Sequence, residues 1–308
     1  MEKLLTIYTP TYNRIALLKR VYKSLLNQSS KNFIWMIIDD GSDDNTKEIV
    51  EEWLKNEKGF KIEYFYKDNE GVHTARDFAY SHCNTELIVS IDSDDWLVNN
   101  AVETIEKFWK EKGKEEYAGI FGKCIFENGN EIGTKFPNIK ALTFQTLTYK
   151  YHFKGDKMTI VRTDIIKEIP KSPQYKGEKL VSETYKWIQL PEDKPFLLLN
   201  TPTKVVEYQK DGYSANAYES VFKNTNGFRA NYRQYMISSK YLWPKLKGYI
   251  GYIACSLLLK DNKFIKNSPY PVKTILLLPL GIIGLISFKV RRKRINKLKS
   301  KIDNYKEK

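Results

Sequence analysis

The sequence predicts an α/β fold: a doubly wound, mixed but mainly parallel sheet flanked by helices, followed by a helical C-terminal extension. Three observations predict it. Short apolar runs alternate with helix-period segments from Lys3 to Trp109, the pattern of a parallel sheet with crossover helices. Each apolar run is followed by a polar cluster, which such a sheet gathers along its carboxyl edge. The chain is 308 residues long and 42% hydrophobic, with 21 Tyr, 15 Phe and 6 Trp, which is enough apolar material for one large core or two small ones.

The elements follow in order. Lys3 to Thr9 is a first strand, broken by Pro10, and Thr11 to Arg14 is a strand-to-helix loop. Ile15, Leu18, Val21, Tyr22, Leu25 and Leu26 have helical spacing. Phe33 to Ile38 is a second strand ending in Asp39-Asp40-Gly41-Ser42-Asp43-Asp44, and Thr46 to Leu54 is a helix. Asp43 and Asp44 suit a turn and the cap of that helix. Ile62 to Tyr66 is a third strand, Asn69 to His73 a loop in which His73 reads as solvated, and Thr74 to His82 a helix. Leu87 to Ile91 is a fourth strand, leading into Asp92-Ser93-Asp94-Asp95-Trp96 and a helix over Ala101 to Trp109. Trp96 reads as packing beneath that acidic loop.

Beyond this point the pattern predicts strands at Gly119–Phe126, Lys157–Val161, Phe196–Asn200 and Thr203–Tyr208, with a hairpin turn at Glu127–Asn130. Helices are expected at Thr143–Tyr151, Asp164–Glu168, Glu178–Ile188 and within Val221–Tyr252. There is no internal repeat. Cys83, Cys124 and Cys255 are odd in number and far apart, which suits a reduced compartment.

The acidic loop after the fourth strand carries the chemistry. Helix capping needs one carboxylate, and three lie within four positions here. Like charges so close call for a cation or a hydrogen-bond network. Oxygen-only ligands suit Mg²⁺ or Mn²⁺ rather than zinc.

Four motifs stand in order: Thr9-Pro10-Thr11-Tyr12-Asn13-Arg14, Asp39 to Thr46, Asn69-Glu70-Gly71 with Ala75-Arg76, and Asp92-Ser93-Asp94-Asp95. Together they resemble the nucleotide-diphospho-sugar-binding half of family 2 glycosyltransferases, which have the GT-A fold. A weaker resemblance continues through Glu178 to Ser214, with Val205 to Tyr208 and Asp211 to Ser214 looking like the end of such a domain.

The resemblance implies a nucleotide-sugar half at 1–110 and an acceptor half at 111–215; beyond it the residues read as a helical extension at 216–270 and a hydrophobic segment with a basic tail at 271–308. It implies that Thr9, Pro10 and Tyr12 cradle the nucleoside, that Asp40 accepts a hydrogen bond from the base, and that Asn69 and Arg76 shape the pocket. Asp92 and Ser93 would lie near the ribose, and Asp94 would hold Mn²⁺ or Mg²⁺ on the diphosphate. Glu183 takes the general-base position, with Thr184 in place of the usual acidic partner and Glu178 as runner-up. One of these two glutamates could instead cap a helix. The implied reaction is inverting transfer from a UDP-sugar to a cell-surface polysaccharide or lipid-linked glycan. Two other readings remain: a nucleotidyltransferase, against which the glycine-free first loop argues, and a non-catalytic sugar-nucleotide-binding subunit.

The net charge is +14, of which residues 289–308 carry +8. The tail contains only Tyr305 as an aromatic, so the charge does not have the basic, aromatic-interleaved face of a nucleic-acid binder. Thr274 to Phe288 is uncharged over fifteen residues, short for a membrane span. It is followed by Lys289 to Arg294, a run suited to anionic headgroups. A re-entrant or interfacial anchor on the cytoplasmic face of the inner membrane is the expectation. No secretory signal is read at the start, because Leu4 to Tyr8 is too short for one.

Overall fold

The computed structural model describes residues 3–56, 59–209 and 217–306. Asp211 to Ser214 therefore lies outside the described residues. The chain forms two compact units, residues 1–172 with 189–209 and residues 173–188 with 210–308.

The first unit is built on one mixed sheet. Its strands are β1 (Leu5–Thr11), β2 (Phe33–Asp39), β3 (Lys61–Tyr66), β4 (Leu87–Ser90), β5 (Trp96–Leu97), β6 (Gly119–Ile125), β7 (Ala141–Leu142), β8 (Lys157–Arg162) and β9 (Phe196–Val205). The spatial order is β3-β2-β1-β4-β8-β6-β9-β5, with β7 also on β9. The strands β3, β2, β1 and β4 pair in parallel. The antiparallel β8 joins β4 to β6, and β6 pairs in parallel with β9. Helices α1 (Ile15–Leu26), α2 (Thr46–Lys55), α3 (Val72–His82), α4 (Ala101–Lys112) and α5 (Thr163–Glu168) complete the unit. The apolar positions spaced along α1 and α2 are what bury them: Leu18, Val21, Leu25, Val50 and Trp53 join Leu5, Ile7, Trp35 and Ile37 in one core. Tyr22 stacks on Trp53 with ring centroids 4.1 Å apart, and on Trp35 at 5.8 Å.

Several elements differ from expectation, each for a local reason. Pro10 lies inside β1, opposite Ile38, rather than ending it. Tyr8 accepts from Ile91 on the β4 side and Thr11 from Asp40 on the β2 side, so Pro10 faces the β4 side just where β4 has ended. Its missing N–H therefore leaves no gap in a ladder. The two strands expected at 196–200 and 203–208 form one, β9, which absorbs Asn200 and Pro202 through register shifts against β6. The segment 146–150 is a π-helical turn rather than an α-helix. His73 is buried in the first turn of α3, not solvated in a loop.

The second unit holds α6 (Thr184–Trp187), α7 (Ala217–Lys223), α8 (Thr225–Ser238), α9 (Leu242–Leu258), α10 (Pro271–Leu276) and α11 (Leu278–Lys306). Met236, Tyr249, Tyr252, Ile253 and Phe264 form one of its cores, and Val221, Phe228 and Cys255 another. Only Thr184–Trp187 of the expected 178–188 helix is helical. The reason is Glu178, whose carboxylate accepts the Asn226 and Gly227 N–H groups at 2.9 and 2.8 Å and the Asn226 side-chain amide at 2.9 Å. It caps α8, a helix some fifty residues downstream, and so is held outside the helix. The three cysteines are buried and free.

The stacked Tyr22–Trp53 pair predicts a contrast between neighbours. Trp53→Ala should lower unfolding free energy by about 3–5 kcal/mol. Leu54→Ala, at an exposed position of the same helix, should cost about 0.5 kcal/mol or less. Urea denaturation of both variants checks this.

Candidate active site

Four loops at the carboxyl edge of the parallel strands are tied to one another. After β1, Asn13 sits at φ 51, a left-handed conformation that Asn tolerates. Its N–H donates to Ser42 Oγ and its side-chain oxygen accepts the Asp43 N–H, both at 2.9 Å. Asp44 accepts the N–H of Ile15 and the N–H and hydroxyl of Thr46, so one carboxylate steadies the first turns of both α1 and α2. Gly41, at φ +86, lets the β2 loop pass against the β3 loop; a Cβ there would lie 2.8 Å from the Asn69 nitrogen.

Asp40 is 5% exposed. Its Oδ1 accepts from Lys67 Nζ at 2.7 Å and from the Glu70 N–H at 3.1 Å, and its Oδ2 accepts the Gly71 N–H at 2.8 Å. The carboxylate thus shapes the Asn69–Gly71 loop. Its neighbour Asp39 is fully buried and accepts from Tyr64 Oη and the Ser42 N–H.

The acidic loop after β4 meets two arginines. Arg14 Nη1 lies 3.3 Å from Asp94 Oδ2, and Arg76 Nη2 lies 3.7 Å from Asp92 Oδ1. Burial, then the nearby Asp92 charge, raises the Asp94 pKa, with Arg14 pulling the other way. Asp95 turns inward to Lys204 of β9, Oδ2 to Nζ 2.6 Å, and its Oδ1 accepts the Glu207 N–H at 3.4 Å. The two side chains are buried, with residue exposures of 5% and 9%. Burial alone would favour the neutral amine, but Asp95, Cys124 and Asp92 outweigh it, so the Lys204 ammonium is held more firmly than usual. Burial also pushes the Asp95 carboxyl up, so each partner is the reason the other stays charged. Trp96 is covered by Arg20, whose guanidinium carbon lies 4.3 Å from the ring centroid, and Arg20 also pairs with Glu207 at 2.5 Å.

The expected nucleotide-site residues fall into two sets. Tyr12, 46% exposed, Asp40, Asn69, Asp92 and Asp94 lie on the loops tied together at this edge, and Arg76 reaches Asp92 from α3. Thr9, Pro10 and Ser93 are buried behind them, and Thr9 Oγ1 accepts the Trp35 indole N–H at 3.1 Å. Glu183 and Glu178 belong to the second unit. Sequence reasoning missed Lys204, Lys67 and the pairing role of Arg14. A lone Lys204 inside the run Thr203-Lys204-Val205-Val206 was the available signal, because a lysine in a buried strand requires a counter-charge.

Among the described residues, no group of three or more His, Cys, Asp or Glu is arranged to hold an ion with protein ligands alone. The two carboxylates Asp92 and Asp94 do fit a hard cation that draws its remaining oxygens from phosphate and water. The raised Asp94 carboxyl fits too, since it is a charge the fold only partly compensates.

In an open α/β sheet the carboxyl edge of the parallel strands, here lined with acidic and basic side chains, is where ligands bind. The family model described as glycosyl transferase family 2 matches residues 6–170. The chain belongs to that family and has the GT-A fold. It is similar to the GalNAc(5)-diNAcBac-PP-undecaprenol beta-1,3-glucosyltransferase of Campylobacter jejuni, 27% identical over 70% of this chain and 69% of that one. It is also similar to the hyaluronan synthase of Pasteurella multocida, 28% identical over 92% of this chain but only 30% of that protein's length. Among solved structures, TarS 1-349 of S. aureus in complex with UDP-GlcNAc superposes with a TM-score of 0.59 at 19% identity, covering 92% of this chain and 80% of that one.

The buried pair yields a prediction. Lys204→Met removes the counter-charge of the buried Asp95 and should destabilise the protein by about 3–5 kcal/mol. Adding Asp95→Asn should recover much of that loss, as a double-mutant cycle by chemical denaturation would show.

Proposed function

We propose that this glycosyltransferase moves a hexosyl or N-acetylhexosaminyl group from a UDP-sugar to a hydroxyl of a cell-surface polysaccharide or lipid-linked glycan, with inversion at the anomeric carbon. The observation that carries the reading is the stitching of four loops around Asp92 and Asp94 at one sheet edge. The names of the relatives support it: one acts on an undecaprenol-linked glycan, one is a polysaccharide synthase, and a structural neighbour was solved with UDP-GlcNAc.

In this reading Tyr12, exposed at the edge, stacks on the uracil, over a floor made by Thr9 and Pro10. Asp40 holds the Asn69–Gly71 loop in place and accepts from the base. Asp92 and Ser93 face the ribose. Mn²⁺ or Mg²⁺ would be held by Asp94 with Asp92 beside it, and when bound supplies Lewis-acid neutralisation of the departing diphosphate. Arg14 and Arg76 counter the carboxylate charge, and their guanidinium groups suit phosphate oxygens. Glu183 is assigned the proton of the attacking hydroxyl. Its motif position supports this, as does the commitment of the Glu178 carboxylate to capping α8. A lipid-carried acceptor would place the enzyme at the cytoplasmic face of the inner membrane, bound peripherally.

Two variants test the assignment. In an assay of UDP released from a panel of UDP-sugars, Asp94→Asn should abolish cation-dependent turnover; unchanged turnover refutes its role. Glu183→Gln should reduce transfer by roughly 10²- to 10⁴-fold while UDP affinity, measured by calorimetry, stays within about twofold. Loss of UDP affinity would place Glu183 outside the base role.

A further inference from the structure

The outward face of α10 and α11 is not explained by sugar transfer. α11 lies against α9 through its glycines. A Cβ at Gly281 would come within 2.3 Å of Ile253, and one at Gly284 within 2.6 Å of Ile250. Farther along, Arg292 pairs with Glu219 at 2.9 Å and covers the Phe222 ring at 4.3 Å. These contacts fix the rotation of the helix. The small-residue face is spent on α9, so the isoleucines are turned outward. Leu280, Ile282, Ile283, Ile286 and Val290 are exposed, Ile283 at 60%, and α10 adds Val272, Ile275 and Leu276, the last at 73%.

Charge continues this surface. Lys289 and Lys293 follow Ile282 and Ile286 at helical spacing and are exposed, as is Arg294. Between Asn262 and Ile302 the sequence has eleven Lys and Arg and no Asp or Glu. Among the described residues no helix is long and apolar enough to cross a membrane. An apolar patch running into a one-signed basic stretch has the chemistry of a surface that enters the headgroup layer of an anionic bilayer. It suits a second copy of this chain poorly, since a two-fold contact across it would oppose like charges.

We propose that α10 and the first three turns of α11 insert into the headgroup–acyl boundary of an anionic lipid bilayer, with Lys289, Lys293 and Arg294 against its phosphates. The proposal gives the peripheral location suggested above a physical surface, but it rests on exposure and charge within this unit. It stands or falls separately from the assignment of the reaction.

The test uses the full chain and two kinds of vesicle, phosphatidylcholine alone and phosphatidylcholine mixed with phosphatidylglycerol. Sedimentation should carry the protein down with the anionic vesicles, weakly with the neutral ones, and less at high salt. Ile283→Asp with Ile286→Asp, and separately Lys289→Glu with Lys293→Glu, should each lower binding by about tenfold or more. Melting temperature and UDP release onto a soluble acceptor should not change, because these side chains are exposed and remote from the family motifs in sequence. Failure of the wild-type chain to bind either vesicle overturns the proposal, as does equal binding by the variants. Self-association that the isoleucine variants abolish, without vesicle binding, would make a second copy the occupant and likewise overturn it. Loss of UDP release in wild type with vesicle binding intact would instead count against the reaction.

Discussion

The buried ion pair between Asp95 and Lys204 is the constraint on which the acidic edge of the sheet depends. After β4 the chain must leave the sheet, present two carboxylates outward, and return as β5 beside β9. Asp95 makes that reversal definite by anchoring to Lys204 at 2.6 Å while β5 pairs with Lys204 and Val205. Neither charge could be buried alone. Buried together, they fix the phase of the loop, so that Ser93 and Asp95 are buried while Asp92 and Asp94 stay partly exposed.

The rest of the edge is built the same way, with acidic side chains used as fasteners. Asp40 and Asp44 accept backbone N–H groups from neighbouring loops and Asp39 one from its own, as Asp95 accepts one from Glu207. Asp92 and Asp94, both partly exposed, also meet arginines, Asp94 with Arg14 at 3.3 Å and Asp92 with Arg76 at 3.7 Å. Backbone hydrogen bonds to buried carboxylates shape the loops, and ion pairs at partly exposed carboxylates can be exchanged for ligand.

The parallel half of the fold was legible because its signals are local. Strands β1 to β4 are apolar runs bounded by turn residues, and α1 begins and ends where its periodicity does. The later half depends on pairings that leave little trace in sequence. β5 and β7 are two residues each and exist only because β9 lies beside them. β9 looked like two strands because Asn200 and Pro202 interrupt its pattern, and register shifts against β6 absorb the break. The 178–188 segment has helical spacing but lost most of its helix to the capping of α8 by Glu178, a contact across 48 residues. At the edge, the residue types were visible, but not their partners. That Asp40 would meet Lys67, or Asp95 meet Lys204, follows from topology and not from spacing.

The central claim is that Asp94 and the loops joined to it hold a nucleoside diphosphate through a divalent cation. Anomalous diffraction from crystals grown with UDP and Mn²⁺ tests it most directly. The account predicts a manganese peak bonded to Asp94 and to both phosphates, with the uracil against Tyr12. Diphosphate bound elsewhere, or bound here with no manganese and Asp94 still on Arg14, would contradict it.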